Sequence, residues 1–330
     1  MKQDVRRLVV ALLNKVPALL FCGVLALFSM LSPSFFTATN FLNILVQSSP
    51  TAVVATGMTF VLLTAGVDLS VGSIMFVAAA VGGKLLLVHG WPAWLVLLWI
   101  AGLGAVCGLL NALLVARLGI IAFIATLGTQ YLGRGFGMWL TETRAMNLPD
   151  HFTGLGSATA LGVPAPILVA AGVVLCSHVV LTRTPFGRQV YAVGQAPEVA
   201  RKAGVNVRGV LTGVYVLCGL LAGLGGALAL AQIGSVAPTF GANKEFAAIA
   251  AAVLGGTSLF GGRGQVFPGT VLGAVLIQAV ENGLNNANAN PYFYPLVTSG
   301  IIFLAVLLDS TRSRLLVSLT RRTIRVEKEA

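Results

Sequence analysis

Charged side chains are scarce in this chain. Lys, Arg, Asp and Glu make up 9% of its 330 residues while 57% are hydrophobic, at a mean hydropathy of +0.91. A soluble domain needs a charged surface, so that class is excluded. Histidine is nearly absent: His89, His151 and His178 are scattered without ligand spacing, which argues against a metal site. The four cysteines, Cys22, Cys107, Cys176 and Cys218, lie in apolar stretches with no C-x-x-C pair, and read as packing residues without a redox role. No Gly-x-x-x-x-Gly-Lys-Ser/Thr phosphate loop occurs, so the chain does not by that route bind or split ATP. A Ser-His-Asp arrangement cannot be argued either. Enzyme is the wrong class, and no cofactor is implied.

What the chain does have is long apolar runs. Several approach or exceed the ~18 to 20 residues needed to cross a bilayer, and marking them gives about ten spans. They fall near Val16–Ser32, Leu42–Ala65, Val71–Val88, Ala93–Ala116, Ile120–Leu140, Pro164–Leu181, Gly209–Ala231, Glu245–Leu259, Gln265–Asn282 and Tyr294–Leu308. The expected fold is an all-α polytopic membrane protein, with residues 1–330 as one transmembrane domain. Val16 to Met30 imitates a signal peptide, but no small-x-small cleavage site follows, and it reads as an uncleaved first span.

Charge orients the spans. With ten of them both termini lie on one side, and of the 21 Lys and Arg only Lys84, Arg134, Arg144 and Lys244 fall away from that side. The basic residues gather in the N-terminus, in the 182–208 loop, at Arg117 and Arg263, and in the 309–330 tail. The positive-inside rule makes both termini cytoplasmic. The net charge of +11 is thereby explained by topology and calls for no nucleic acid.

Three segments stand out. The first is Gly66-Val67-Asp68-Leu69-Ser70-Val71-Gly72-Ser73, an aspartate set between two apolar stretches. A carboxylate in hydrocarbon is costly and must face protein, water or the interface. The glycines offer backbone conformations closed to other residues, and Asp68, Ser70 or Ser73 can accept from the free N–H groups of the next helix. The run reads as a broken or re-entrant element, of the kind that clusters where solutes pass; simple capping at the membrane surface is the competing reading. The second segment carries Gly255, Gly256, Gly261, Gly262, Arg263, Gly264 and Gly269. It reads first as a tight cytoplasmic hairpin between spans. Together the two hint at an internal repeat. The third is the 182–208 loop, where Pro197 opens a helix of about two turns, Glu198 suits its positive end and Gly204 ends it. Ala200 and Ala203 are small enough for close docking, so this loop is built to touch something in the cytoplasm, or is a basic connector held by anionic head groups.

These segments resemble the membrane subunits of ATP-binding-cassette importers for monosaccharides, the ribose-type permeases. The family's Gly-(Ile/Val)-Asp-Leu-Ser-Val-Gly-Ser run matches Gly66 to Ser73, and its Gly-Met-Thr-(Phe/Leu)-Val matches Gly57 to Val61. Its Phe-Gly-x-x-(Val/Ile)-Tyr-Ala-(Ile/Val)-Gly loop matches Phe186 to Gly194, Gly187 included. Its Leu-Gly-Gly-Thr-Ser-Leu-x-Gly-Gly-x-Gly run matches Leu254 to Gly264. One departure stands out: where the family continues Gly-Gly-Asn, this chain has Gly194-Gln195-Ala196-Pro197, a variant also found in the autoinducer-2 branch. The resemblance implies that Pro197 to Gly204, with Ala200 and Arg201, is a coupling helix docking on a cytoplasmic ATPase subunit. It also implies a periplasmic sugar-binding protein, a second permease copy or paralogue, and a multi-pass place in the bacterial inner membrane.

A neutral polyol needs hydrogen-bonding groups and an aromatic face. Asn111, Gln130, Gln278 and Asn282, with Phe76 and Trp139, are therefore the pathway candidates, and each is also readable as an interhelical contact worth about 1 kcal/mol. Asp68 is expected to control the broken element. Glu142, Arg144, Asp150, Lys244 and Glu245 are expected as solvated outer charges able to face a binding protein. Two other readings compete: an ion-coupled carrier working through Asp68 or Glu281, and an importer whose cargo is autoinducer-2, a nucleoside or a branched-chain amino acid.

Overall fold

The computed structural model describes residues 19, 21–290, 292–294, 296–301, 303–304 and 307. The start of the expected first span, the end of the tenth and the basic tail lie outside these residues. The described chain is built of helices: α1 Phe21–Leu31, α2 Ala38–Leu63, α3 Val71–Leu87, α4 Ala93–Ala112, α5 Ala122–Thr141, α6 Asp150–Ser157, α7 Ala165–Arg183, α8 Pro185–Gln195, α9 Pro197–Lys202, α10 Val207–Ile233, α11 Lys244–Leu254 and α12 Val271–Asn286. Two short antiparallel pairs complete it: β1 Met146–Asn147 with β4 Ser235–Val236, and β2 Thr159–Ala160 with β3 Val163–Pro164. Among the described residues, α2, α7, α10 and α4 with its continuation to Arg117 are long and apolar enough to cross a membrane.

Helix α10 is the hub, packing on α4, α2 and α3. Its meeting with α4 is glycine against glycine: Gly104 and Gly108 lie on the backbone of Gly219, Gly223 and Tyr215. In lipid, helices gain nothing from hiding apolar surface, so close backbone approach between small residues at four-residue spacing does the packing. Helix α2 is continuously buried from Ser48 to Leu63, a stretch that includes Pro50. Proline has no N–H to offer the carbonyl four residues back, and Gln232 of α10 fills that role, donating to the Val46 oxygen at 3.0 Å. The outward faces of α4, α5 and α7 show Leu98, Val106, Phe123, Leu132, Leu168 and Leu175, an apolar belt suited to lipid.

Two expected spans are shorter than foreseen. The eighth, Glu245–Leu259, is helical only to Leu254 because Gly255 and Gly256 turn the chain. At 1.5 Å per residue, α11 is about 16 Å long, half of a ~30 Å hydrocarbon core. The ninth begins with an irregular turn over Val266–Thr270, and regular helix starts at Val271.

Candidate functional site

Helix α2 stops at Leu63 in a closed cap. Ala65 N–H reaches the Leu62 oxygen at 2.9 Å and Gly66 N–H the Val61 oxygen at 3.1 Å, the paired bonds of a Schellman ending. The left-handed residue is Ala65, at φ +58°. Gly66 and Gly72 are not at positive φ, which corrects the expectation that glycine here supplies unusual backbone angles. Their missing side chains matter instead: a Cβ on Gly66 would stand 2.8 Å from the Tyr215 hydroxyl, and one on Gly72 would collide with the Gly241 oxygen and the Glu245 carboxylate.

Asp68 follows, fully buried. Its Oδ1 accepts from the Ser70 N–H at 2.9 Å and the Ser70 hydroxyl at 2.6 Å, an Asx-type turn. Asn111 of α4 donates its amide to both Asp68 oxygens at 3.3 Å and to Ser70 Oγ at 2.7 Å. Thr129 of α5 in turn donates to Asn111 Oδ1 at 2.8 Å. The carboxylate thus ties the α2–α3 break to α4 and α5. Ser73 does not cap its helix; its N–H is taken by Gln130 Oε1 of α5 at 3.1 Å.

The three sequence motifs meet at the end of α2. Phe186 at the start of α8 stacks on Phe60, ring centroids 6.5 Å apart, and Gly187 sits against the backbone of Leu181. Gly194 at the end of α8 lies so close to the Leu63 carbonyl that no Cβ fits. The Gly262 N–H donates to that same Leu63 oxygen at 2.9 Å. Tyr191 donates its hydroxyl to the Gly264 oxygen at 2.8 Å, and burial pushes the Tyr191 phenol above its ordinary pKa. Gln195 Nε2 adds a bond to the Gly262 oxygen at 3.4 Å. The glycine-rich hairpin is therefore a socket for α8. Gly256, Gly261, Gly262 and Gly264 in it all take positive φ, Gly255 packs on the Gly269 backbone, and Arg263 points outward.

Helix α8 was not foreseen. Thr184-Pro185 marks its start, with the Thr184 hydroxyl accepting from Gly187 N–H at 3.3 Å. Buried Gly187, Val190, Val193 and Gly194 trace one helical face. That capping pair was the available signal. Helix α9 follows at Pro197, and Gly204 ends its turn at φ +84°. Of the two small alanines Ala200 faces inward and Ala203 outward, so the outward surface carries Glu198, Val199, Arg201 and Lys202 with Ala203. Glu198 and Arg201 pair at 2.5 Å.

The pathway candidates divide among different places. Asn111 serves Asp68. Gln130 bridges Ser73 to Glu245, donating to Glu245 Oε1 at 3.3 Å. Phe76 is fully buried under Arg134, whose guanidinium lies 5.1 Å from the ring centroid and donates to the Phe240 oxygen at 2.7 Å. Asn282 joins Asn40 at 2.9 Å and Asn286 at 2.9 Å. Gln278 pairs with Gln47 at 3.0 Å on an exposed face, and Trp139 is 71% exposed. They do not converge on one lumen. Glu245, expected as a solvated outer charge, is only 6% exposed and has one oxygen without a partner. The helix start it occupies lies against Gly72 and Gly241, which shuts out water. Among the described residues no group of three His, Cys, Asp or Glu is arranged for a metal ion.

A cradled aspartate in a helix break, and an arm socketed into glycine loops, sit among helices long and apolar enough to cross a membrane. The family model described as the permease component of the branched-chain amino acid transport system matches residues 40–308. The ribose import permease protein RbsC of Escherichia coli is 40% identical over 293 residues, covering 87% of this chain and 91% of that protein. The fructose import permease protein FrcC of Rhizobium meliloti is 38% identical over 293 residues, covering 85% and 80%. The D-allose transport system permease protein AlsC of Escherichia coli is 34% identical over 293 residues, covering 88% and 90%. No solved structure matches. The chain belongs to this permease-component family, among the ribose-type permeases of ATP-binding-cassette importers.

Proposed function

We propose that this chain is the transmembrane subunit through which a monosaccharide enters the cytoplasm of a bacterium, driven by a separate ATPase and fed by a periplasmic binding protein. The observation that carries this reading is the arm of α8 and α9. Its tip exposes Glu198, Val199, Arg201 and Lys202, while its root is fixed backbone to backbone on the end of α2. An ATPase seated on α9 gains a direct hold on the α2–α3 break. ATP binding draws two such ATPase subunits together, the arms move, and two permease copies switch the path between outward and inward access. The permease itself contributes no chemical step.

In this reading about ten spans cross the inner membrane with both termini cytoplasmic, as the basic loops require. The named relatives import ribose, fructose and allose, which favours a sugar over an amino acid as cargo. Asp68 is engaged on both oxygens by Ser70 and Asn111, a structural arrangement that leaves an ion-coupled carrier without its most prominent acid.

The test is purification of the tagged protein from native membranes in mild detergent. A stoichiometric ATPase is expected, and it is lost when residues 195–203 are replaced. A preparation free of ATPase that still moves sugar on an ion gradient overturns the reading.

A further inference from the structure

Between α11, α12 and the described helical residues 293–294 and 296–301 lies a cavity of about 820 Å³, within the roughly 300–1,000 Å³ usual for small-molecule sites. Its wall carries Asn243, Lys244, Glu281, Tyr294, Thr298 and Phe303. Lys244 opens the half-length helix α11, ten residues from Leu254 beside the glycine socket, and Glu281 stands eleven residues along from Thr270. At 1.5 Å per residue each stands about 15 Å along its helix from the glycine-socket end, a distance equal to about half of a ~30 Å hydrocarbon core. Thr270 is fixed at the base, 2.7 Å from Thr59 of α2.

An acid and a base at that depth need protein or water around them and mark a solute path more often than a packing site. These two are not spent on each other, since Arg201–Glu198 is the one ion pair within 4.0 Å among the described residues. Asn243 holds a left-handed backbone at φ +61° and its side chain makes no cap bond to α11, leaving the amide to the cavity. The wall therefore offers a carboxylate that accepts from two hydroxyls, ammonium and amide donors, a threonine hydroxyl and aromatic faces.

On this chemistry we propose that the α11–α12 cavity is the midway binding station of the transported sugar, with Glu281 accepting from vicinal hydroxyls and Lys244 and Asn243 donating to the ring. The proposal rests on the importer reading and deepens it. It also moves selectivity away from Gln278 and Trp139, which face elsewhere.

The test uses the whole importer, with its ATPase and binding protein, in proteoliposomes. Uptake of labelled D-ribose, D-allose, D-fructose and D-galactose is measured beside ATP hydrolysis. Glu281→Gln is expected to lower uptake of the best sugar about tenfold, the effect of one charge-assisted hydrogen bond, and to reorder the four sugars. ATP hydrolysis and recovery of the complex should stay within about twofold of wild type, as no contact to the arm is touched. Lys244→Met and Asn243→Ala carry the same test should Glu281→Gln not assemble. Unchanged uptake and order in these variants, with wild type active, overturns the cavity assignment alone. Wild type that moves no sugar with ATP overturns the importer reading and the cavity with it.

Discussion

The two glycine-rich regions look alike in sequence and are physically unlike. Between Gly66 and Ser73 the glycines keep ordinary backbone angles and exist to let a tyrosine, a carbonyl and a carboxylate come close. Between Gly255 and Gly264 they turn the chain, with positive φ at four positions. The first region has little room and many partners; the second has special angles and forms a socket. Glycine density therefore marks an unusual backbone without saying whether space or angle is the reason.

Substitutions can separate the two uses. Gly72→Ala should be the most damaging, by about 3 kcal/mol, because its Cβ meets a fixed backbone oxygen at Gly241. The expected readout is a large fall in thermal stability in detergent with loss of the folded monomer peak. Asp68→Ala comes next, at about 2 kcal/mol, since it takes the acceptor from the Ser70 N–H and hydroxyl in a buried place. Asp68→Asn should recover part of that loss, which thermal unfolding of the pair would reveal. Gly204→Ala is the smallest, at about 1 kcal/mol, because φ +84° is strained for alanine although open space surrounds it. Equal losses at Gly72 and Gly204 would break the distinction between crowding and strain.

Much of this was legible beforehand. Pro197, Glu198 and Gly204 announced a short helix and its end, and the apolar runs announced α2, α4, α7 and α10. Other features were hidden for physical reasons. Glu245 looked like an outer charge because a carboxylate beside Lys244 and Asn243 gives no local sign of burial; Gly72 and Gln130, distant in sequence, lie against it. Gln232 bonding Val46 across α2's proline is a long-range repair that no window along the chain reveals. The pathway candidates were polar residues at helical positions, and such residues are usually spent on neighbouring helices. Asn111, Gln130 and Asn282 are spent in that way. The convergence of three motifs on Leu63 was invisible as geometry, although their shared wealth of glycine hinted that backbones meet.

The contact of Gly194 with the Leu63 carbonyl has a mechanical meaning. A long side chain between two helices acts as a soft spring, because its torsions absorb a shift before the far helix feels it. Here no side chain intervenes, and a peptide plane bears on a bare α-carbon. Helices are stiff along their axes, so a displacement of α8 bears on the end of α2 with no side chain to absorb it. What lies beyond the contact is the seven-residue break from Thr64 to Ser70, so the arm is joined to the point where one helix hands over to the next.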